Sequence, residues 1–261
     1  SNKIYCNHQK FVIYILMQKF KTTTRGIISI LRASSDMRLH LGLSRVPVHT
    51  TVVRFAKKIK AHISKVLGIR QALTVAVDAT GFELESKSYY YRKTAFIRRK
   101  TKKFMKLSTA IDCDTQSILT HKIRKDKAHD NRDFKFLIKK LKCKHIIADK
   151  GYDSKALRKF VLSKLKALPH IPYRRMSGKP KRGRLANLPD DKVYRRRPIV
   201  ENIFFCIKRK YGSVLRNRTF ATQKVELISK LVAHNVDRLQ HYFLLILRVA
   251  PALILETYIN N

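Results

Sequence analysis

The chain has 261 residues, 58 of them Lys or Arg and only 17 Asp or Glu, so each carboxylate's position is informative. Most sit in polar stretches where a solvated charge or a helix cap explains them, as at Asp36, Asp126, Asp190 and Asp191. Three do not. Asp78 ends the apolar run Thr74-Val-Ala-Val77 and precedes Ala-Thr-Gly81. Asp149 ends the apolar run His145-Ile-Ile-Ala148 and precedes Lys-Gly-Tyr152. Glu201 lies in the apolar helix start Pro198-Ile-Val-Glu-Asn-Ile-Phe204. A carboxylate at the end of a buried strand is costly unless it is paired or bound to a cation. Any one of the three alone reads more readily as a capping or ion-paired group. Together they suit a hard cation such as magnesium, which prefers carboxylate and phosphate oxygens. Two such ions about 3.5–4 Å apart activate a nucleophile and stabilise a leaving oxygen in phosphoryl transfer. Asp112 competes for this role, but the following Cys113-Asp114 reads as a turn.

The elements that must position these groups follow from periodicity. Residues 8–62 read as helical, with Lys10–Phe20 and Thr22–Leu31 carrying apolar residues at helical spacing and the Thr22-Thr-Thr24 cluster as a cap. A third helix is expected from near Pro47 through Val52, Val53, Phe55 and Ile59. Leu39–Ile59 has the length and turn of a helix-turn-helix with His49, Thr50, Arg54 and Lys57 towards DNA; a plain helical cap on the next domain is the alternative. From residue 72 the period becomes two. Strands are expected over Ala72–Val77, Lys103–Ile111, Ser117–Ile123 and His145–Ala148. Helices are expected over Asn131–Leu141, Ser154–Leu165 (capped by Asp153 or Ser154), Pro198–Tyr211 and Thr222 to about Leu247. Strands first, then alternating strand and helix, give an α/β fold: a mixed sheet with helices on its faces. We place a helical region at 1–68 and the sheet-containing domain at 69–261. A basic inserted loop falls near 172–193.

The formal net charge is +41. A charge of that sign points to a polyanion partner and disfavours acidic substrates, while 44% apolar residues are enough for a sizeable core. Tyr89–Lys106 is basic and aromatic, and Tyr89-Tyr-Tyr91 beside Arg92 and Lys93 could stack on unpaired bases or serve as ordinary strand residues. The apolar run Tyr242–Leu255 is too short to span a bilayer and is broken by Arg248 and Pro251. Phe11–Met17 is shorter, and no small-residue cleavage site follows it. No membrane partner is therefore expected. Cys6, Cys113, Cys143 and Cys206 form no Cys-x-x-Cys pair, so reduced thiols inside a cell are expected rather than a zinc site. Walker-type loops are absent and no nucleotide cofactor is expected. Arg238 and Tyr242 near His234 and His241 only loosely echo a tyrosine recombinase. The first residue is Ser1 rather than Met, as in a trimmed or incomplete product.

At the three carboxylates the sequence resembles the DDE transposases of prokaryotic insertion sequences. The blocks are Val75-Ala-Val-Asp-Ala-Thr-Gly-Phe82, Ile147-Ala-Asp-Lys-Gly-Tyr-Asp-Ser154, and Tyr194-Arg-Arg-Arg197-Pro-Ile-Val-Glu201 continuing to Lys208. The third reproduces the Tyr-x2-Arg-x3-Glu-x6-Lys signature of one branch, which is specific because four chemically distinct residues must fall at fixed offsets. The likeness covers roughly residues 70–240. It implies a ribonuclease H-like fold and metal-dependent cutting and joining of double-stranded DNA at element ends and target. Asp78, Asp149 and Glu201 would hold two magnesium or manganese ions. Arg197 would grip a phosphate bidentately and Lys208 would act as a point charge, with Tyr194, Arg195 and Arg196 beside them. Glu201 and Lys208, seven apart, share one helix face, although Pro198 leaves the facing of Tyr194 and Arg197 undetermined. Arg174, Arg175, Lys179, Lys181, Arg182 and Arg184 form either a DNA-contacting arm or a solvated loop. By the same likeness a homodimer handles the DNA, in the cytoplasm with the nucleoid. Two alternatives stand beside it: an inactive or truncated remnant that only binds DNA, and a nuclease of the same fold that cuts without joining.

Overall fold

A computed structural model of the chain describes residues 4–58, 71–85, 104–125, 129, 131–173 and 191–259, the side chains of residues 58, 191 and 242–259 aside. At its centre lies a mixed sheet. Strands β1 (Thr74–Leu84), β2 (Phe104–Asp112) and β3 (Ile118–Arg124) form an antiparallel meander. β4 (His145–Ala148) joins β1 in parallel, and β5 (Leu168–His170) joins β4 in parallel. The order is β3-β2-β1-β4-β5, and the two-residue β6 (Val214–Leu215) pairs with the far end of β1.

Alternation along the strands assigns each side chain to a layer. Ala76, Phe82, Leu107, Ile111 and Ile147 point to one face and pack with helices α8 (Pro198–Tyr211) and α9 (Phe220–Ile259). Val75, Val77, Ala110, Ile146 and Ala148 point to the other, covered by α5 (Asn131–Ile138) and α6 (Lys155–Phe160). A short helix, α7 (Asp191–Tyr194), leads into α8. Both faces of the central strands are thus buried, which explains their continuous apolar runs. The result is the expected mixed sheet flanked by helices.

The N-terminal region contains α1 (Asn7–Lys19), α2 (Thr24–Ala33), α3 (Ser35–His40) and α4 (His49–Lys58). Thr23 caps α2, its hydroxyl accepting from the Gly26 N–H at 3.1 Å. The short α3 falls inside the 8–62 stretch read as helical, although periodicity did not single it out, and α4 starts two residues beyond Pro47. Ile13, Tyr14, Ile27, Leu31 and Val52 form their own core, and Val225 of α9 enters it. Further along α9, Leu227, Ile228, Leu231 and Val232 belong to the sheet-side core. One helix therefore closes both.

Three local expectations need correction. The helix expected over Ser154–Leu165 is α-helical only to Phe160 and widens into a π turn over Val161–Leu165, ended by Lys166 at φ +53°. Neither proposed cap serves it: Ser154 makes no side-chain cap bond, and the Asp153 carboxylate instead accepts from Arg158 at 3.0 Å. The last helix does not stop near Leu247 but continues through Pro251 to Ile259. Among the described residues no helix is long and apolar enough to cross a membrane.

The cysteines are free thiols in unlike settings. Burial pushes Cys113 up to about 12 and Cys143 up to about 11, whereas Cys6 and Cys206 are exposed. Because the thiolate is the nucleophile, iodoacetamide at pH 8 should label Cys6 and Cys206 in the native protein and spare Cys113 until denaturant is added. Peptide mass spectrometry reads this directly, and labelling of all four at one rate would contradict the packing around Cys113.

Candidate active site

β1 and β4 run side by side with Ala76 opposite Ile147 and Val77 opposite Ala148. One residue further on each strand stand Asp78 and Asp149, and alternation turns both towards the face that α8 covers. Asp149 keeps an extended backbone (φ −67°, ψ 161°) as the chain leaves β4 for the 3₁₀ turn Lys150–Tyr152. Asp78 does not end its strand, as the sequence suggested. β1 continues to Leu84 because β2 pairs with it as far as Glu83 opposite Phe104, and β6 supports its other edge at Glu83 and Leu84. It is β4 that stops. Between Val77 and Glu83 that edge of β1 has no strand partner among the described residues, and this opening holds the carboxylates.

α8 lies over the opening. Pro198 occupies its first turn, where the missing N–H costs nothing. Val200, Ile203, Phe204, Ile207 and Tyr211 are buried on the sheet side. That leaves Glu201 on the flank, its side chain 55% exposed. Arg197 already has helical angles (φ −53°, ψ −42°), which settles its facing. Its Nη1 lies 2.9 Å from Glu201 Oε1, and its Nη2 lies 3.6 Å from Asp78 Oδ2. One guanidinium therefore joins the strand carboxylate to the helix carboxylate.

The electrostatics mark the same group as a unit. Burial disfavours the Arg197 charge, yet Asp78, Glu201 and Asp149 outweigh it and hold the guanidinium above its ordinary value. The Tyr194 hydroxyl is pushed up by burial and by Asp149, Asp78 and Glu201, with Arg197 opposing. Lys208, two turns beyond Glu201, donates from Nζ to Thr80 Oγ1 at 2.7 Å and lies 5.4 Å from the Phe82 ring centre. Burial lowers its ammonium, with Glu83 pulling the other way. Thr80 is two residues past Asp78 on the same strand face, so Lys208 stands at the rim of the same opening.

Other predicted residues are placed differently. Arg196 pairs with Asp114 in the β2–β3 turn at 2.5 Å, and Arg195 is exposed. Arg174, Arg175, Lys179, Lys181, Arg182 and Arg184 lie outside the described residues, as do Tyr89–Tyr91, Arg92 and Lys93. The Asp112 carboxylate accepts from the Asp114 N–H at 3.0 Å and the Thr115 hydroxyl at 2.7 Å, so it caps a turn. The recombinase echo dissolves in the same region. Arg238 donates to the Thr115 carbonyl at 3.3 Å and His234 Nε2 lies 3.0 Å from the Gln116 carbonyl, so both brace that turn.

Asp78 and Asp149 side by side, with Glu201 one guanidinium away, offer hard oxygen donors of the kind magnesium and manganese take. Thr109, which pairs with Asp78 across β1 and β2 and so shares its face, has a buried hydroxyl without a hydrogen-bond partner. A buried polar atom of this kind beside a carboxylate is what an ion's water shell would satisfy. Among the described residues no three His, Cys, Asp or Glu side chains stand close enough to hold an ion as they are. The Glu201 carboxylate is engaged by Arg197 at 2.9 Å. Donor type and the adjacent placement of the two strand aspartates fit a divalent ion. Thr80, Thr109 and the Asp114–Arg196 pair escaped the sequence reading. Alternation from Asp78 could have flagged Thr80, but nothing local marked the others.

A mixed sheet carrying adjacent strand aspartates under a glutamate-bearing helix is of the ribonuclease H-like class. Residues 70–236, well over half of the chain, match the transposase DDE domain, and the chain belongs to that family. No curated protein matches it closely enough to count as a relative.

Proposed function

We propose that the chain is a metal-dependent transposase of the branch with the Tyr-x2-Arg-x3-Glu-x6-Lys signature, from a prokaryotic insertion sequence. It would cleave a phosphodiester at the ends of its element and join the freed 3′-hydroxyl to target DNA. The observation that carries this reading is the side-by-side placement of Asp78 and Asp149 under α8, with Glu201 linked to Asp78 through Arg197. Asp78, Asp149 and Glu201 would hold two magnesium or manganese ions. Bound there, such ions supply Lewis-acid stabilisation of the attacking and leaving oxygens.

The chain's own cations hold the substrate. Lys208, fixed by Thr80, presents a point charge to a phosphate at the rim, and Arg197 offers a planar fork to the phosphate beside it. Tyr194, Arg195 and Arg196 border the approach along the lead-in to α8. On α4, Val52 and Ala56 face the core while Thr50, Arg54 and Lys57 are exposed, with His49 at the margin. That outer face would hold the element end, with 1–68 as the end-binding region and 69–261 as the catalytic one. A homodimer acting with the nucleoid in the cytoplasm completes the reading.

Purified protein with manganese or magnesium should nick a labelled element-end duplex and yield strand-transfer products in a target plasmid. Cleavage without joining would favour a nuclease of the same fold. Binding without any cleavage would leave a DNA-binding remnant. A formal charge of +41 further predicts that binding weakens steeply with salt, with a log–log slope of about −0.9 for each phosphate neutralised. Titrations from low to high potassium chloride measure this, and a flat response would refute the polyanion interface.

A further inference from the structure

We propose that Arg197 is an internal counter-ion that keeps divalent cations out of the carboxylate site until a DNA phosphate draws it away, so that metal loading and DNA binding are coupled. The inference rests on reading Asp78, Asp149 and Glu201 as the metal ligands. Arg197 contacts two of the three directly, at 3.6 Å to Asp78 Oδ2 and 2.9 Å to Glu201 Oε1. One guanidinium of the chain's own therefore already serves as counter-ion to both carboxylates. Lys208, the other cation of the signature, is instead held by Thr80 at 2.7 Å.

The latch is built to open. Its Nε is buried and meets no acceptor, so the carboxylates use only part of the guanidinium's donor fork. A phosphate at the helix start would engage that fork bidentately. An i,i+4 ion pair with a half-exposed glutamate is weak and is easily given up. Arg197 also sits at the N-cap of the 14-residue α8, where the helix dipole disfavours a cation and favours an anion. Once the guanidinium turns to DNA, three carboxylates remain without that counter-ion, and a divalent cation with oxygen preference is well suited to replace it. The coupling is reciprocal by necessity: whatever factor DNA adds to metal affinity, metal adds to DNA affinity. A free transposase would then stay unarmed in the presence of intracellular divalent ions and become competent on its substrate.

Manganese binding, read from the loss of the free-ion electron paramagnetic resonance signal, tests this without requiring turnover. Wild type, Arg197→Gln and Arg197→Lys are titrated alone and with a short random-sequence duplex, the signal lost to DNA alone being subtracted. Arg197→Gln alone should bind manganese about tenfold more tightly than wild type, and DNA should tighten wild type by a similar factor while adding little to the variant. Arg197→Lys, which keeps the charge, should remain close to wild type. Equal manganese affinity in wild type and Arg197→Gln, or equal tightening of both by DNA, would overturn the latch. The Asp78→Asn/Asp149→Asn double variant separates the two layers. If it loses manganese while Arg197→Gln behaves as wild type, only the latch falls. If it keeps its manganese, the ions bind elsewhere and the catalytic reading falls with it.

Discussion

Asp149→Ala should abolish metal-dependent DNA cleavage, a loss on the order of 10³-fold or more, while DNA affinity stays the same or rises slightly. The two readouts separate because of where the side chain is. Asp149 follows the last residue of β4 and makes no cap bond to the turn it precedes, so removing it takes nothing from the hydrogen bonding of that turn. It also deletes one negative charge from a surface that must accept phosphates. Asp78→Ala and Glu201→Ala should match it in activity. Asp78→Ala should cost some stability as well, because Arg197 then loses one of its two carboxylate partners. Cleavage of an end-labelled duplex with manganese, beside a mobility shift at equal protein concentration, gives both numbers. An Asp149→Ala protein that still cuts would move the active site elsewhere.

The largest stability effect is expected at Glu226 on α9. Its carboxylate accepts from the Arg216 and Asn217 backbone N–H groups at 3.0 Å and from Asn217 Nδ2 at 2.7 Å. It also lies 3.8 Å from the ammonium of Lys230, and both side chains are almost wholly buried. Lys230 in turn donates to the Gly212 and Val214 carbonyls at 2.8 and 3.0 Å. Together they hold the segment that carries β6 onto β1. Removing one partner of a buried pair costs about 3–5 kcal/mol, so Glu226→Ala should lower Tm on the order of 10 °C. The deficit should also depend on pH. Burial draws the Lys230 ammonium down to about 8 even with Glu226 opposing, and without Glu226 it falls further. The unfolded chain keeps that proton to near 10.5, so it binds more protons than the folded variant and the variant's stability rises with pH. The gap to wild type should therefore narrow as pH approaches 8 from below. Thermal melts across that range decide it, and a gap that widens with pH would refute the pairing.

What could be read from the residues, and what could not, divides by range of interaction. The β-branched runs before Asp78 and Asp149 announced two buried strands, and Pro198 and the Gly212 at φ +87° bracket α8 as expected. Asp112 was recognisable as a turn residue from its immediate neighbours. The strand beyond Asp78 was not, because Ala79-Thr-Gly81 looks like a turn and is held extended only by β2 and β6, which approach from elsewhere in the chain. β5 and β6 have three and two residues, too few to show a period. The Arg197–Glu201 pair was within reach of helical spacing. The Arg197–Asp78 contact joins residues more than a hundred positions apart, and no local pattern could reveal it.

The helix α9 has a consequence for measurement of distance along DNA. It seats Val225 in the N-terminal core and Leu231 in the sheet-side core. Tyr14 on α1 meets Asn217 at 2.9 Å, and Lys19 meets Asp237 at 2.7 Å. The helical region and the sheet are thus clamped to one rod rather than strung on a tether. If the outer face of α4 holds the element end, as proposed, that duplex would lie at a set span and a set twist from Asp78. On the proposed reading the chain would work as a gauge, with the position of the cut relative to the bound sequence written into a shared helix rather than chosen anew at each encounter.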